Sequence, residues 1–165
     1  MRELVNGKNN SYLKNLLDHS DKCLTGCYKC LHRYGNQSYH GLLDWRLGLD
    51  VLQLYLNDNY LAGMDGNFSS PGVLDWQTIA KKLATEASKL YSTQVITKGG
   101  IPVLEIDSKQ NKWAAVVHPF WNTDLLRNYN PELDEWELEI GSLSFISTFD
   151  LARKIGVTIS KLRAS

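Results

Sequence analysis

The sequence predicts an α+β protein: a helical, cysteine-bearing module followed by a small sheet packed with helices. Three observations predict it. All three cysteines fall within eight positions, from Cys23 to Cys30. A leucine-rich segment with helical periodicity follows, from Leu42 to Leu56. Past residue 72, one helical pattern gives way to apolar strand-like pieces separated by polar turns. At 165 residues the chain has room for one mid-sized domain or two small ones. The turn-rich stretch 57–73 divides it into a helical, cysteine-bearing module at 1–60 and an α+β domain at 72–165.

Residues 1–10 are polar and read as a frayed end. From Ser11, in an N-cap position, Tyr12, Leu13, Leu16 and Leu17 recur at helical spacing, and this helix ends near His19 and Ser20. The cysteine loop comes next, then the turn-forming run Tyr34-Gly35-Asn36-Gln37. Leu42, Trp45, Leu49, Leu52 and Leu56 make one stripe of the following helix. Leu43, Leu47, Val51, Leu54 and Tyr55 widen that stripe, which predicts a helix buried on most sides. Asp44 sits in its first turn as a capping carboxylate. Beyond the boundary, Asp75 caps a helix whose Ile79, Leu83, Ala87 and Leu90 face inward, with Lys81, Lys82, Glu86 and Lys89 outward. Strands are predicted at 94–97, 101–106 and 113–118, the last two joined by the polar connection 107–112. A short helix at 123–127, a loop at 128–135, a strand at 143–146 and a closing helix from Thr148 complete the pattern.

Charge is balanced, 18 basic against 18 acidic residues, so the whole chain is not an electrostatic clamp on nucleic acid. No apolar run approaches the length that crosses a bilayer. Met1-Arg2-Glu3-Leu4-Val5-Asn6 does not lead into the apolar core of a signal peptide. Clustered cysteines without a secretory signal point to the reducing cytoplasm. There is no phosphate loop and no Asp-Glu-x-His or Asp-Glu-x-Asp box, and the Gly99-Gly100 pair lacks the lysine and hydroxyl partner. The expected chain is cytoplasmic and carries no ATP-driven motor of its own.

A C-x3-C-x2-C run cannot close a sensible set of disulfides, because one thiol is left over and the others are too near in sequence. It suits a tetrahedral metal. Thiolates a turn apart converge on one ion, and Gly26 before Cys27 permits tight backbone. Zinc (Zn2+) is the expected ion, in a structural Cys3His site with no open position. His19, His32 and His40 all lie near enough to be the fourth ligand, and a cysteine upstream of this chain is the rival. His32 would need the chain to fold back sharply, and His19 stands on a helix end. His40 directly precedes the leucine-rich helix, where a ligand would lock that helix to the knuckle. The expected set is Cys23, Cys27, Cys30 and His40.

The run Cys27-Tyr28-Lys29-Cys30-Leu31, then Tyr34-Gly35-Asn36-Gln37, His40, Leu42-Leu43-Asp44 and the leucine-rich helix resembles a known module. It is similar, over about residues 20–56, to the MrfA-type zinc-binding domain (DUF1998) at the C-terminal end of certain superfamily 2 DEAD/DEAH helicases. Relatives occur in anti-phage defence systems such as DISARM. Two departures are visible: Trp45 precedes Arg46 where the family often has a basic residue straight after Leu-Asp, and Asp21 stands where some branches carry a further cysteine. The resemblance implies an accessory zinc-binding region of a DNA helicase, structural and strand-guiding, working beside helicase motor domains or a motor subunit. In that family reading Asp44 would accept bonds from the knuckle loop or from Asn36.

Two further chemistries are open. Lys22, Lys29, Arg33 and Arg46 interleave with Tyr28, Tyr34 and Tyr39 around the cysteines. Basic groups neutralise phosphates and rings stack on unpaired bases, so Lys29, Arg33, Tyr34 and Arg46 are the expected nucleic-acid contacts. Glu105, Asp107 and Lys109 alternate as in PD-(D/E)xK nucleases, where carboxylates hold Mg2+ and a lysine steadies the attacking water. Yet 94–97 offers no upstream aspartate and Lys109 falls in the turn, so the expected reading is a solvated hairpin edge and no catalytic residue is assigned. A protein-docking subunit without nucleic-acid affinity is the third class. The acidic run from Glu132 to Glu139 would be its edge or a solvated face.

Overall fold

The structure, a computed structural model, describes residues 11–164. The expected frayed segment 1–10 and the Tyr12 side chain lie outside the described part. The fold is α+β, and the chain divides into two compact units. One comprises the residues up to Gly63 with Asn67–Leu74; the other comprises Met64–Gly66 and the residues from Asp75 onward.

In the N-terminal unit, α1 (Ser11–Leu17) leads into the cysteine loop, which is framed by 3-10 turns at Ser20–Lys22 and Tyr34–Tyr39; α2 (Trp45–Leu56) follows. The core gathers Leu13, Leu16, Trp45 and Leu49 with Cys23 and Cys30, and Leu17, Cys27 and Leu31 pack on it. The apolar faces of both helices therefore close on the cysteines themselves. Each large side chain so buried contributes about 1.5–3 kcal/mol. α2 begins at Trp45 and not at Leu42, because Asp44 is extended and its carboxylate accepts from the Arg46 and Leu47 amides (3.0 and 3.3 Å). That is N-capping. The expectation of a helix buried on most sides is not met: Trp45, Arg46, Leu49 and Asp50 are buried, while Val51, Leu54 and Tyr55 are exposed. A unit this small has too little protein to surround one of its own helices.

The stretch expected as a boundary belongs mostly to this unit. Asp50 is fully buried and receives the Tyr60 hydroxyl. Gly72 approaches it so closely that a Cβ there would fall on the Asp50 carboxylate.

The C-terminal unit runs α3 (Trp76–Tyr91), β1 (Val95–Lys98), β2 (Ile101–Asp107), β3 (Lys112–Val117), α4 (Thr123–Tyr129), α5 (Pro131–Ile140), β4 (Leu143–Ser147) and α6 (Thr148–Ala164). The sheet order is β1-β2-β3-β4, with the first three strands antiparallel. β4 returns parallel to β3, Trp113 opposite Leu143 and Val117 opposite Ser147. A parallel return needs a crossover, and α4 and α5 supply it. α3 packs across β2, and α6 packs on α3, β2, β3 and β4. Ile101 to Leu104 and Ala114 to Val117 are accordingly buried residue after residue, without the alternation of a half-exposed strand.

Gly99 and Gly100, both at positive φ (52° and 79°), form the two-residue hairpin between β1 and β2. Asn130 holds that turn by donating to the Gly99 carbonyl (2.9 Å). The expected loop at 128–135 instead contains the start of α5. Asn130 caps it by accepting from the Leu133 amide (3.1 Å), and Pro131 takes a first-turn position where its missing N–H costs nothing. Leu90, expected to face inward, is exposed; α3 buries Trp76, Ala80, Leu83, Ala84, Ala87 and Ser88. Among the described residues no helix is long and apolar enough to cross a membrane.

Candidate metal centre

Four side chains converge at the end of α1. One ligand atom from each of His19, Cys23, Cys27 and Cys30 lies within 4.8 Å of all the others. The Sγ atoms of Cys23 and Cys30 are 3.7 Å apart, and those of Cys27 and Cys30 are 3.8 Å apart. A disulfide is about 2.05 Å long, so none is formed. A tetrahedron with metal–sulfur bonds of about 2.3 Å has sulfur–sulfur edges of about 3.8 Å. The spacing is that of ligands around one ion.

His19 supplies the second test. Its Nδ1 donates to the Asn15 carbonyl one turn back in α1, which fixes the ring and leaves Nε2 as the basic nitrogen. Nε2 is buried and has no hydrogen-bond partner. An unpartnered buried acceptor is costly in a finished protein. A metal-binding histidine has this form, one nitrogen oriented by a carbonyl and the other turned to the ion. The donor set, three thiols and an imidazole, is that of a closed structural site.

The backbone is shaped to the same end. The Cys27 amide donates to the Cys30 sulfur (3.2 Å), and the Cys27 carbonyl accepts from the Cys30 and His32 amides (3.0 and 2.9 Å). Burial, with the neighbouring Cys27 and Cys30 sulfurs, pushes the Cys23 thiol up to about 12. At Cys27 burial also opposes ionisation. There it is outweighed by the Lys29 backbone N–H and by the contacts with Cys23 and Cys30, which bring the thiol down to about 7.

The histidine within reach of the sulfurs is thus His19, not the expected His40. His40 Nε2 lies 2.8 Å from Asn36 Oδ1 and 3.0 Å from the Arg33 carbonyl, and both are acceptors, so this nitrogen carries the proton. The His40 ring stacks on His32 at 3.9 Å. Asn36 also accepts from the Arg33 amide (2.7 Å) and donates to the Leu31 carbonyl (3.0 Å). The Asn36 and His40 pattern therefore builds the loop after the cysteines. The sequence did carry a signal for the true neighbour: His19-x3-Cys23 repeats the spacing of Cys23-x3-Cys27, and the helix end aims the ring.

Arg46 is a second correction. Expected to meet a nucleic-acid strand, it is buried. Its Nη1 donates to the carbonyls of Cys23 (2.9 Å) and Leu24 (2.7 Å), and Nη2 to that of Ser20 (3.1 Å). The guanidinium also lies over the Trp45 ring, 4.2 Å from its centroid. Trp45 Nε1 reaches the Cys23 carbonyl (3.3 Å), and the Trp45 amide reaches that of Thr25 (2.9 Å). Lys29, Arg33 and Tyr34 are exposed, as are Tyr28 and Tyr39.

Elsewhere, Glu105 accepts from the Gln94 amide (3.1 Å), and Asp107 caps the hairpin turn through the Lys109 and Gln110 amides (2.8 and 3.3 Å). A register shift separates Glu105 from Asp107. Among the described residues the carboxylates do not join a group able to hold a metal. The chain matches no family model, no curated protein and no solved structure.

Proposed function

We propose that the N-terminal unit is a structural zinc module in which one ion is held by His19, Cys23, Cys27 and Cys30. The observation that carries this is the buried, unpartnered His19 Nε2 beside three sulfurs at tetrahedral spacing. Bound there, zinc would cross-link the end of α1 to the cysteine loop and leave no coordination position for catalysis. In the same reading the module is an accessory region of a superfamily 2 DNA helicase, working in phage defence. The ordered run from Cys27 through Asn36 and His40 to Asp44 supports that placement. Exposed Lys29, Arg33 and Tyr34 support strand contact, since they offer phosphate and base-stacking partners on one loop. The nuclease alternative is not favoured, because Glu105 and Asp107 are engaged in the hairpin.

Elemental analysis of protein purified without chelator tests the module. One zinc per chain is expected. Folded protein with no bound metal would overturn it. Anisotropy titration with a labelled oligothymidine at rising salt tests the strand contact, which should weaken steeply as salt releases the phosphate contacts.

A further inference from the structure

We infer that Arg46 is the positioning residue that ties metal occupancy to the docking of α2. The inference rests on the zinc reading above and assigns a role which neither the cysteine pattern nor the ligand set specifies.

Three carbonyls that the Arg46 guanidinium reaches, Ser20, Cys23 and Leu24, lie in the segment joining the ligands His19 and Cys23 and the residue just past it. That segment has little regular structure of its own, a 3-10 turn of three residues. A planar fork with fixed donor directions can hold three carbonyls in one arrangement, whereas a lysine ammonium, a point charge on a flexible stem, cannot. Arg46 therefore sets the chain path that brings the His19 ring and the Cys23 sulfur to the same point. Charge works in the same direction. Zinc with three thiolates and a neutral imidazole carries one net negative charge, and burying it is easier beside a buried cation than beside neutral groups.

Because Arg46 and Trp45 open α2, the coupling is reciprocal. An ion that fixes Cys23 fixes the carbonyls to which α2 is docked. A docked α2 in turn holds the ligand segment ready for the ion. Loss of metal should loosen the first turn of α2 along with the cysteine loop.

The test uses the full chain and reads metal affinity by chelator competition, alongside the cobalt-substituted absorption spectrum. Arg46→Lys keeps the charge and loses the fork. It is expected to weaken zinc binding by about 10–100-fold, the range for residues that orient metal ligands, and to alter the cobalt ligand-field bands. Lys14→Ala, at an exposed basic residue on α1 of the same unit, should leave both unchanged. An Arg46→Lys protein that binds zinc as tightly as the parent, with the parent cobalt spectrum, would overturn the inference while leaving the zinc module standing. A parent chain that binds no metal would overturn both. If Arg46→Lys does not fold, the parent protein still decides. Amide exchange across residues 44–50 should quicken on chelation together with that of residues 19–31, and an unchanged 44–50 segment would refute the coupling.

Discussion

To hold an ion, His19, Cys23, Cys27 and Cys30 would each have to present a lone pair to it, and they differ in what they must give up to do so. Cys23, held near 12 by burial, keeps its proton across the neutral range and releases it only when an ion arrives. Cys27, near 7, is largely thiolate above that pH and largely thiol below it. Proton release opposes binding as acidity rises, so zinc affinity should fall with falling pH. The fall should steepen below about pH 7, by about one more proton per ion bound, as Cys27 joins in. Chelator competition across pH 6 to 9, as a rough working span, would show the bend. The two histidines give a sharper contrast. His19→Ala should cost about 10–100-fold in zinc affinity or abolish stoichiometric binding, while His40→Ala should retain one ion per chain and lose only loop stability. Metal analysis after dialysis separates the two. The cysteines were legible because thiol spacing is local chemistry. His19 was harder, since its meaning depends on the direction in which α1 ends. Arg46 was illegible as a brace: a basic residue in a basic stretch looks solvated until the fold buries it.

For the elements, periodicity located α2 but overstated its burial. Counting leucines measures how apolar a helix is, whereas burial depends on how much protein is available to cover it, and here only the Trp45, Arg46, Leu49 and Asp50 face is covered. The opposite face includes Gly48, where a Cβ would meet open space. Gly48→Ala should therefore raise the stability of the N-terminal unit by about 0.5–1 kcal/mol through lower backbone entropy in the unfolded chain. Gly72→Ala should do the reverse, destabilising by about 1–3 kcal/mol, because the new carbon must displace the Asp50 carboxylate. Urea unfolding of the zinc-loaded variants measures both. α5 shows the opposite kind of lapse. Asn130 and Pro131 are a helix-start signal that was present in the sequence, in a stretch whose many carboxylates read as solvated loop. The hairpins and strand positions were easier, since apolar runs bounded by polar turns are short-range patterns.

On the scale of the molecule, the two-unit division followed from composition, though the boundary did not. Tyr60 and Gly72 belong with Asp50, a tertiary relation that no run of turn residues announces. Removing the ion should affect the units differently. Chelation should lower or abolish one thermal transition, with loss of helical signal, and leave the transition of the sheet-bearing unit in place; scanning calorimetry with and without chelator reads this directly. The order of strands was not legible either, because a parallel neighbour is fixed by the path of two intervening helices and not by its own residues.

That parallel pairing bears on how the protein is made. β3 leaves the ribosome well before β4, so one side of a strand as apolar as Val116 and Val117 waits, unzipped, while α4 and α5 are synthesised. A nascent chain halted within α5 would display that bare flank to its neighbours.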